Sequence, residues 1–299
     1  PGEFTGAQVG TLLTKLTTSV NHNGLMAGSV FCVDTAKATD TVTVASNITD
    51  GKGPGGGAFV LRKCQAGTLQ LAGANTYTGQ TILEGGTLGV ASLNSVTKGK
   101  PSSSLGSPTN IEAGEIVIGK DKADGECALL YTGTGETTDR VINLAGKNST
   151  VTFSQSGTGL LKLTSDLLIS GYGAHKSIVL TGDTVGAGEL AGTIANPHDR
   201  AGKATTSLTK SGSGTWTLSG NNSYTGPTNV IKGTLSLANA RSLGDKTEVS
   251  ISEGATLGLN FKGEMRVSKL TLGDKPQPPG TYSAANAPKF IKGNGVLKY

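Results

Sequence analysis

One segment of this chain is written twice. Residues 63–91, KCQAGTLQLAGANTYTGQTILEGGTLGVA, align without a gap to residues 210–238, KSGSGTWTLSGNNSYTGPTNVIKGTLSLA, and about half the positions are identical. The shared skeleton is Gly67, Thr68, Leu71, Gly73, Asn75, Tyr77, Thr78, Gly79, Thr81, Gly86, Thr87 and Leu88 in the first copy. In the second it is Gly214, Thr215, Leu218, Gly220, Asn222, Tyr224, Thr225, Gly226, Thr228, Gly233, Thr234 and Leu235. Such self-similarity marks a repeat architecture, in which each unit buries its apolar side against the next.

Short strand signals run along the chain, among them SVFCVD (29–34), TVTVAS (41–46), GTLQLAG (67–73), EIVIG (115–119), STVTFS (149–154), GLLKLTSDLLIS (159–170), TWTLSG (215–220), ATLGLNF (255–261) and NGVLKY (294–299). Their apolar residues alternate with Thr, Ser or Lys, the period-two pattern of a strand with one buried face. Strong amphipathic helices are absent; the nearest candidate, GTLLTKLTTSV (10–20), is Thr-rich and equally compatible with a strand. The connections are longer Thr/Ser/Gly/Asn corners rather than two-residue Asn-Gly hairpins. These features favour a parallel β-helix over a sandwich or barrel. At about 20–24 residues per coil the chain makes roughly a dozen coils, and at about 4.8 Å per coil the rod is on the order of 60 Å long. In the second copy Leu218, Val230, Leu235 and Leu237 are the interior positions, Thr faces outward, and Gly and Asn take the corners.

Bulk composition narrows the classes. With 46 Gly, 4% aromatic and 16% charged residues, a thick globular core of large side chains is out of reach, whereas a narrow one of stacked Leu, Val and Ile is not. Glycine has no three-residue period, which excludes collagen, and recurrent β-branched alternation excludes disorder. A net charge of +5 is scattered without a basic stripe or stacking aromatics, so nucleic acid is not an expected partner. No transmembrane segment is expected, because no apolar run reaches 18 residues. The opening PGEFTGAQVG begins without Met and in mid-pattern, as a fragment of something longer would.

Candidate chemistry is sparse. The closest acidic cluster, Asp121, Asp124 and Glu126 in GKDKADGECA, lacks the order of a calcium loop and reads as a solvated turn. Asp34, Asp40 and Asp50 fall on separate corners. His22, His175 and His198 lie far apart, with no Gly-x-Ser-x-Gly frame. Neither an enzyme, a metal site nor a cofactor is expected. Tyr77 and Tyr224 precede Thr-Gly in both copies; they are sugar platforms or corner aromatics, and their place in a repeat favours the second. Of the three cysteines, Cys32 and Cys64 sit about one enlarged coil apart and form the candidate disulfide, leaving Cys127.

The second copy resembles the autotransporter-associated β-strand repeat, or passenger-associated transport repeat, of bacterial autotransporter passengers. Its usual form is Lys-x-Gly-x-Gly-Thr-Leu-x-Leu-x-Gly-x-Asn-x-Tyr-x-Gly followed by Gly-Thr-Leu. Here Trp216 stands where Leu is common, and the first copy departs at Cys64 and Gln65. SLGDKTEVSISEGATLGLNF (242–261) is similar to the usual continuation, SLGSPTNIEAGEIVIG (104–119) to a diverged one, and PPGTYSAANAPKFIKGNGVLKY (278–299) to closing segments of such passengers. The resemblance implies a right-handed parallel β-helix secreted to the bacterial surface. It implies one solenoid over 1–299, with repeat segments at 63–119 and 210–261 and a closing segment at 274–299. No translocating barrel follows Tyr299, so the barrel was cleaved or export takes another route. The motif marks Gly67, Thr68, Asn75, Tyr77, Gly79, Gly214, Thr215, Asn222, Tyr224 and Gly226 as structural positions. The expected role is structural, with copies of the chain joining head to tail through uncovered strand edges into a fibre or layer. A surface adhesin binding cell-surface glycans is the alternative, and a carbohydrate-active enzyme ranks third.

Overall fold

Alternation of buried and outward residues gives each strand a single apolar face, and the chain stacks these faces in register. The computed structural model describes residues 4–21, 23–119, 125–170, 175–199, 202–244 and 247–299. Among them the fold is mostly β, with sheets of eleven, seven and five strands that are parallel apart from one edge strand of the largest, a small sheet of three, and two helices. Strands adjacent in a sheet are rarely adjacent in sequence, so the hydrogen bonds join one layer of the stack to the next.

The core is a set of rows running along the stack. In the eleven-stranded sheet, Leu69 pairs with Leu88, Leu88 with Leu129, Leu129 with Phe153 and Phe153 with Leu180. The row continues through Lys210, Val230, Ile251 and Leu272. Leu218, Val230, Leu235 and Leu237 are fully buried. The strands Thr68–Leu71 and Thr215–Leu218 are equivalent in the two repeats, yet the first lies in the eleven-stranded sheet and the second in the seven-stranded one.

Close stacking sets the glycine positions of the motif. A Cβ on Gly79 would stand 1.9 Å from the carbonyl oxygen of Phe59, and one on Gly226 would stand 2.4 Å from that of Thr206. Trp216 needs the same economy from its neighbour. It pairs with Gly188, where a Cβ would meet the indole at 2.4 Å, and the indole N–H donates to the Thr181 carbonyl at 2.8 Å.

The N-terminal segment differs from the strand that its Thr content allowed. Residues Gly6–Thr18 form helix α1, opened by a capping box in which Thr5 and Gln8 bond reciprocally. The helix lies against Val42–Val44, the edge strand of the eleven-stranded sheet, with Gly6 close over Thr43 and Gly10 close over Ser46. The helix's own Leu13 is buried in the core. The far edge of that sheet is closed by Lys275–Pro276, which pairs antiparallel to Lys269–Leu272 and carries a proline that cannot donate further. Thr281–Tyr282 likewise turns back antiparallel on Val296–Lys298. The expectation of an N-terminus without a cap and a C-terminus ending in an open strand is corrected at these edges.

Strand signals were also lost and gained. Of GLLKLTSDLLIS only Leu161–Leu163 forms a strand. Gly125–Tyr131 is a strand where the sequence suggested a turn around Glu126.

Candidate functional site

The corner residues shared by the two copies make the same bonds. The Asn75 side chain accepts from the Ile48 N–H at 2.8 Å and donates to the Ser104 carbonyl at 2.7 Å. Asn222 accepts from Ile194 at 2.8 Å and donates to Ser242 at 2.6 Å. Each asparagine therefore satisfies backbone groups of a neighbouring layer that the sheet leaves unpaired. Tyr77 bonds the Thr81 hydroxyl at 2.8 Å and Tyr224 the Thr228 hydroxyl at 2.7 Å. Both tyrosine rings are fully buried, and burial pushes the Tyr77 phenol up to about 12. They are corner aromatics and cannot stack on a sugar.

The lysine that opens the motif has a role that composition concealed. Lys63 and Lys210 occupy interior rows, with Lys63 paired between Val33 and Leu83 and Lys210 between Leu180 and Val230. The Lys63 ammonium donates to the carbonyls of Cys64, Gln65, Ala66 and Gly85 at 2.7–3.1 Å. The Lys210 ammonium donates to Ser211, Gly212 and Lys232 at 2.5–3.0 Å. Each thus gathers the carbonyls of its own corner and of the next layer. Burial pulls both lysines down to about 8, against the attraction of Asp34 on Lys63 and of Asp183 on Lys210. Their signal was present in the Lys-x-Gly-x-Gly opening, but a lysine in an alternating run reads as an outward residue.

The two copies part company after the Gly-Thr-Leu strand. In the second, the serine of Ser-Leu-Gly accepts from the strand exit across a separation of 3 residues, Asn239 N–H to Ser242 Oγ. In the first, the position equivalent to Asn239 is Ser92, whose hydroxyl accepts from the Ser104 N–H across a separation of 12. The added residues form a loop that is pinned from below by Glu136–Arg140. Glu136 accepts from the N–H groups of Leu93 and Asn94 at 2.6 and 3.1 Å. Asp139 accepts from Val96 and Thr97 at 2.6 and 2.8 Å. The Thr138 hydroxyl donates to the Asn94 carbonyl. The Arg140 guanidinium donates to the carbonyls of Leu93, Leu105 and Gly114 at 2.5–3.0 Å. Arg140 is 1% exposed, and burial lowers its pKa to about 10. Burial raises the Glu136 carboxyl, with the two loop N–H groups working against it. Burial also acts to raise Asp139, but the N–H groups of Val96 and Thr97 outweigh it and hold the carboxyl below its ordinary range. Between this loop and Gly135–Thr137 opens a polar cavity of about 420 Å³ lined by Ser92, Ser102, Lys98, Lys100 and Glu136.

The remaining sequence candidates do not converge. Asp121, Asp124 and His22 lie outside the described residues. Glu126 is exposed on its strand, and His175 and His198 are exposed in separate parts of the chain. Asp34 caps its own turn through the Ala36 N–H, whereas Asp50 accepts from the N–H and hydroxyl of Thr78. Among the described residues no group of three His, Cys, Asp or Glu could hold a metal ion. Cys32 and Cys64 are joined by a disulfide, their Cα atoms 6.1 Å apart. Cys127 is buried and reduced, and burial pushes its thiol up to about 11.

Both copies of the repeat match a known family. The passenger-associated transport repeat family matches residues 61–90 and 208–237, which bracket both buried lysines and both tyrosines. The chain carries two passenger-associated transport repeats. It is 34% identical over 167 residues to the adhesin BmaC autotransporter of Brucella suis biovar 1 (strain 1330), a span of 56% of this chain. The chain covers 5% of that relative's length. No solved structure matches it. Family and relative together indicate cell-surface or extracellular exposure. Among the described residues no helix is long and apolar enough to cross a membrane.

Proposed function

We propose that the chain is a segment of right-handed parallel β-helix, continuous over residues 1–299, whose role is adhesion at the bacterial surface. The in-register parallel rows support the solenoid, and right-handed crossovers are the rule for parallel strands. The observation that carries the adhesive role is the 34% identity to a protein described as an adhesin. The chain is a non-enzymatic scaffold in this reading, with recognition carried by loops grafted onto the stack. Cell-surface glycans are the proposed partner class.

Beads coated with the purified chain test the reading directly. They should bind mammalian epithelial cells above beads coated with an unrelated β-rich protein, and soluble chain should compete. Equal retention of the two kinds of bead would overturn the adhesive role. Light scattering of the same preparation should show a monomer, since α1 and Lys275–Pro276 cover the edges of the largest sheet.

A further inference from the structure

Building on the adhesive reading, we infer that the cavity between the lengthened corner and Gly135–Thr137 binds a carboxylate-bearing saccharide, with Lys98 and Lys100 as the groups that engage its carboxylate. The protein contains its own comparison. The second repeat closes the same corner across 3 residues where the first takes 12, so the stack does not need the extra chain. What the extra chain adds is the cavity wall.

The wall is held in one conformation. Glu136, Thr138, Asp139 and Arg140 bond the loop backbone from below. Asn94 ties the loop's two ends, donating to the carbonyls of Lys100 and Gly106 and accepting from the N–H of Lys100. Lys98 has a left-handed backbone with φ 60°, and a Cβ at Gly99 would stand 2.2 Å from the Ser95 carbonyl oxygen. A wall fixed before binding spares a ligand the ordering cost of a mobile loop.

The anchors leave the two ammonium groups without an ion pair, though the Lys100 charge acts at a distance on Glu136. Lys98 and Lys100 are exposed, and neither makes an ion pair or side-chain hydrogen bond among the described residues. The single carboxylate in the lining, Glu136, is turned to the N–H groups of Leu93 and Asn94. The cavity therefore presents net positive charge beside the hydroxyls of Ser92 and Ser102. Paired cations with hydroxyls suit a ligand that is both anionic and rich in hydroxyls. The lining has no aromatic residue, which disfavours a nucleotide base. Its volume, about 420 Å³, exceeds what a lone inorganic anion fills.

Calorimetric titration of the full chain with trigalacturonate, with galactotriose as the neutral probe and sodium sulfate as the compact anion, tests the site. Trigalacturonate should bind, galactotriose should not, and binding should weaken with salt. The double variant Lys98→Gln, Lys100→Gln should lose roughly tenfold or more in affinity, while Lys232→Gln at a distant corner should change nothing. A second variant, Ser102→Trp, should block the cavity with both lysines intact. Three results overturn the inference: no uronate binding by the native chain, unchanged affinity in correctly folded lysine and Ser102 variants, or displacement of trigalacturonate by equimolar sulfate. A chain that adheres to cells without taking uronate overturns the cavity and leaves the adhesive reading standing. A chain that takes uronate but does not adhere supports the cavity and overturns that reading.

Discussion

Gln65 and Gly212 occupy the same position of the two repeats, and both have a left-handed backbone, with φ of 57° and 72°. Glycine takes this conformation freely, whereas a side chain there costs about 1–2 kcal/mol. Gln65→Gly should therefore stabilise the chain by about 0.5–1 kcal/mol after the entropy of the added glycine is subtracted. Gly212→Ala should destabilise it, since a Cβ there would also stand 2.7 Å from the Gly182 carbonyl oxygen. Urea midpoints of the two variants check both signs.

Leu218→Asp should unfold the layers around it, at about 4 kcal/mol or more. Leu218 is fully buried and pairs with Leu190 on one side and Leu237 on the other. An unchanged thermal midpoint with unchanged circular dichroism would mean that this face is not interior.

Lys210→Met should destabilise the chain by about 2–4 kcal/mol at neutral pH, because three corner carbonyls lose their shared donor. The pH dependence follows from the lysine's depressed pKa, about 8 in the fold against 10.5. Between those values the unfolded chain binds the additional proton, so native stability rises with pH across this window. Below the folded pKa the ammonium's desolvation penalty is felt in full. The slope of the urea midpoint against pH should flatten in Lys210→Met, and further when Lys63→Met is added.

Tyr224→Phe should cost about 0.5–1.5 kcal/mol through the lost bond to Thr228. Because the ring is fully buried, the variant should retain whatever cell or glycan binding the native chain shows. A selective loss of binding at unchanged stability would return this tyrosine to the role of sugar platform.

Asp139→Asn should loosen the lengthened corner. Amide exchange should accelerate at Val96 and Thr97, whose N–H groups point at the carboxylate. In the native chain the same loosening should appear in acid. The Asp139 pKa lies below its ordinary value, so the stabilisation is present above the unfolded-state pKa and is lost as pH falls through the folded one.

Period-two alternation made the strands and the buried rows of Leu218, Val230, Leu235 and Leu237 legible, because a one-residue slip would move all of them to the outer face. The two helices escaped for different reasons. Gly6–Thr18 is Thr-rich, and its capping box at Thr5 and Gln8 is the local cue that outweighs β propensity. Ile111–Gly114 is a single turn capped by Asn110, too short for any periodicity to register. The buried lysines and Arg140 were hidden because charge predicts exposure, and only the arrangement of corner carbonyls around them reverses that rule. The lengthened corner was visible as the sequence between Ala91 and Ser104, yet its attachment to Glu136–Arg140 joins residues more than a layer apart, which no local pattern reports.

The disulfide between Cys32 and Cys64 has a mechanical meaning. A molecule built from stacked layers yields to tension by peeling from an end, one layer at a time, and each detached layer lengthens the tether. The bond closes off 32 residues at the N-terminal side of the stack, roughly 100 Å of extended chain. While it is oxidised, a load applied from that side passes across the first strands without paying out this length, and the attachment behaves as a stiff handle. Reduction makes the same stretch a slack spring, so the redox state of the surroundings sets how far the chain gives before the layers beyond feel the pull.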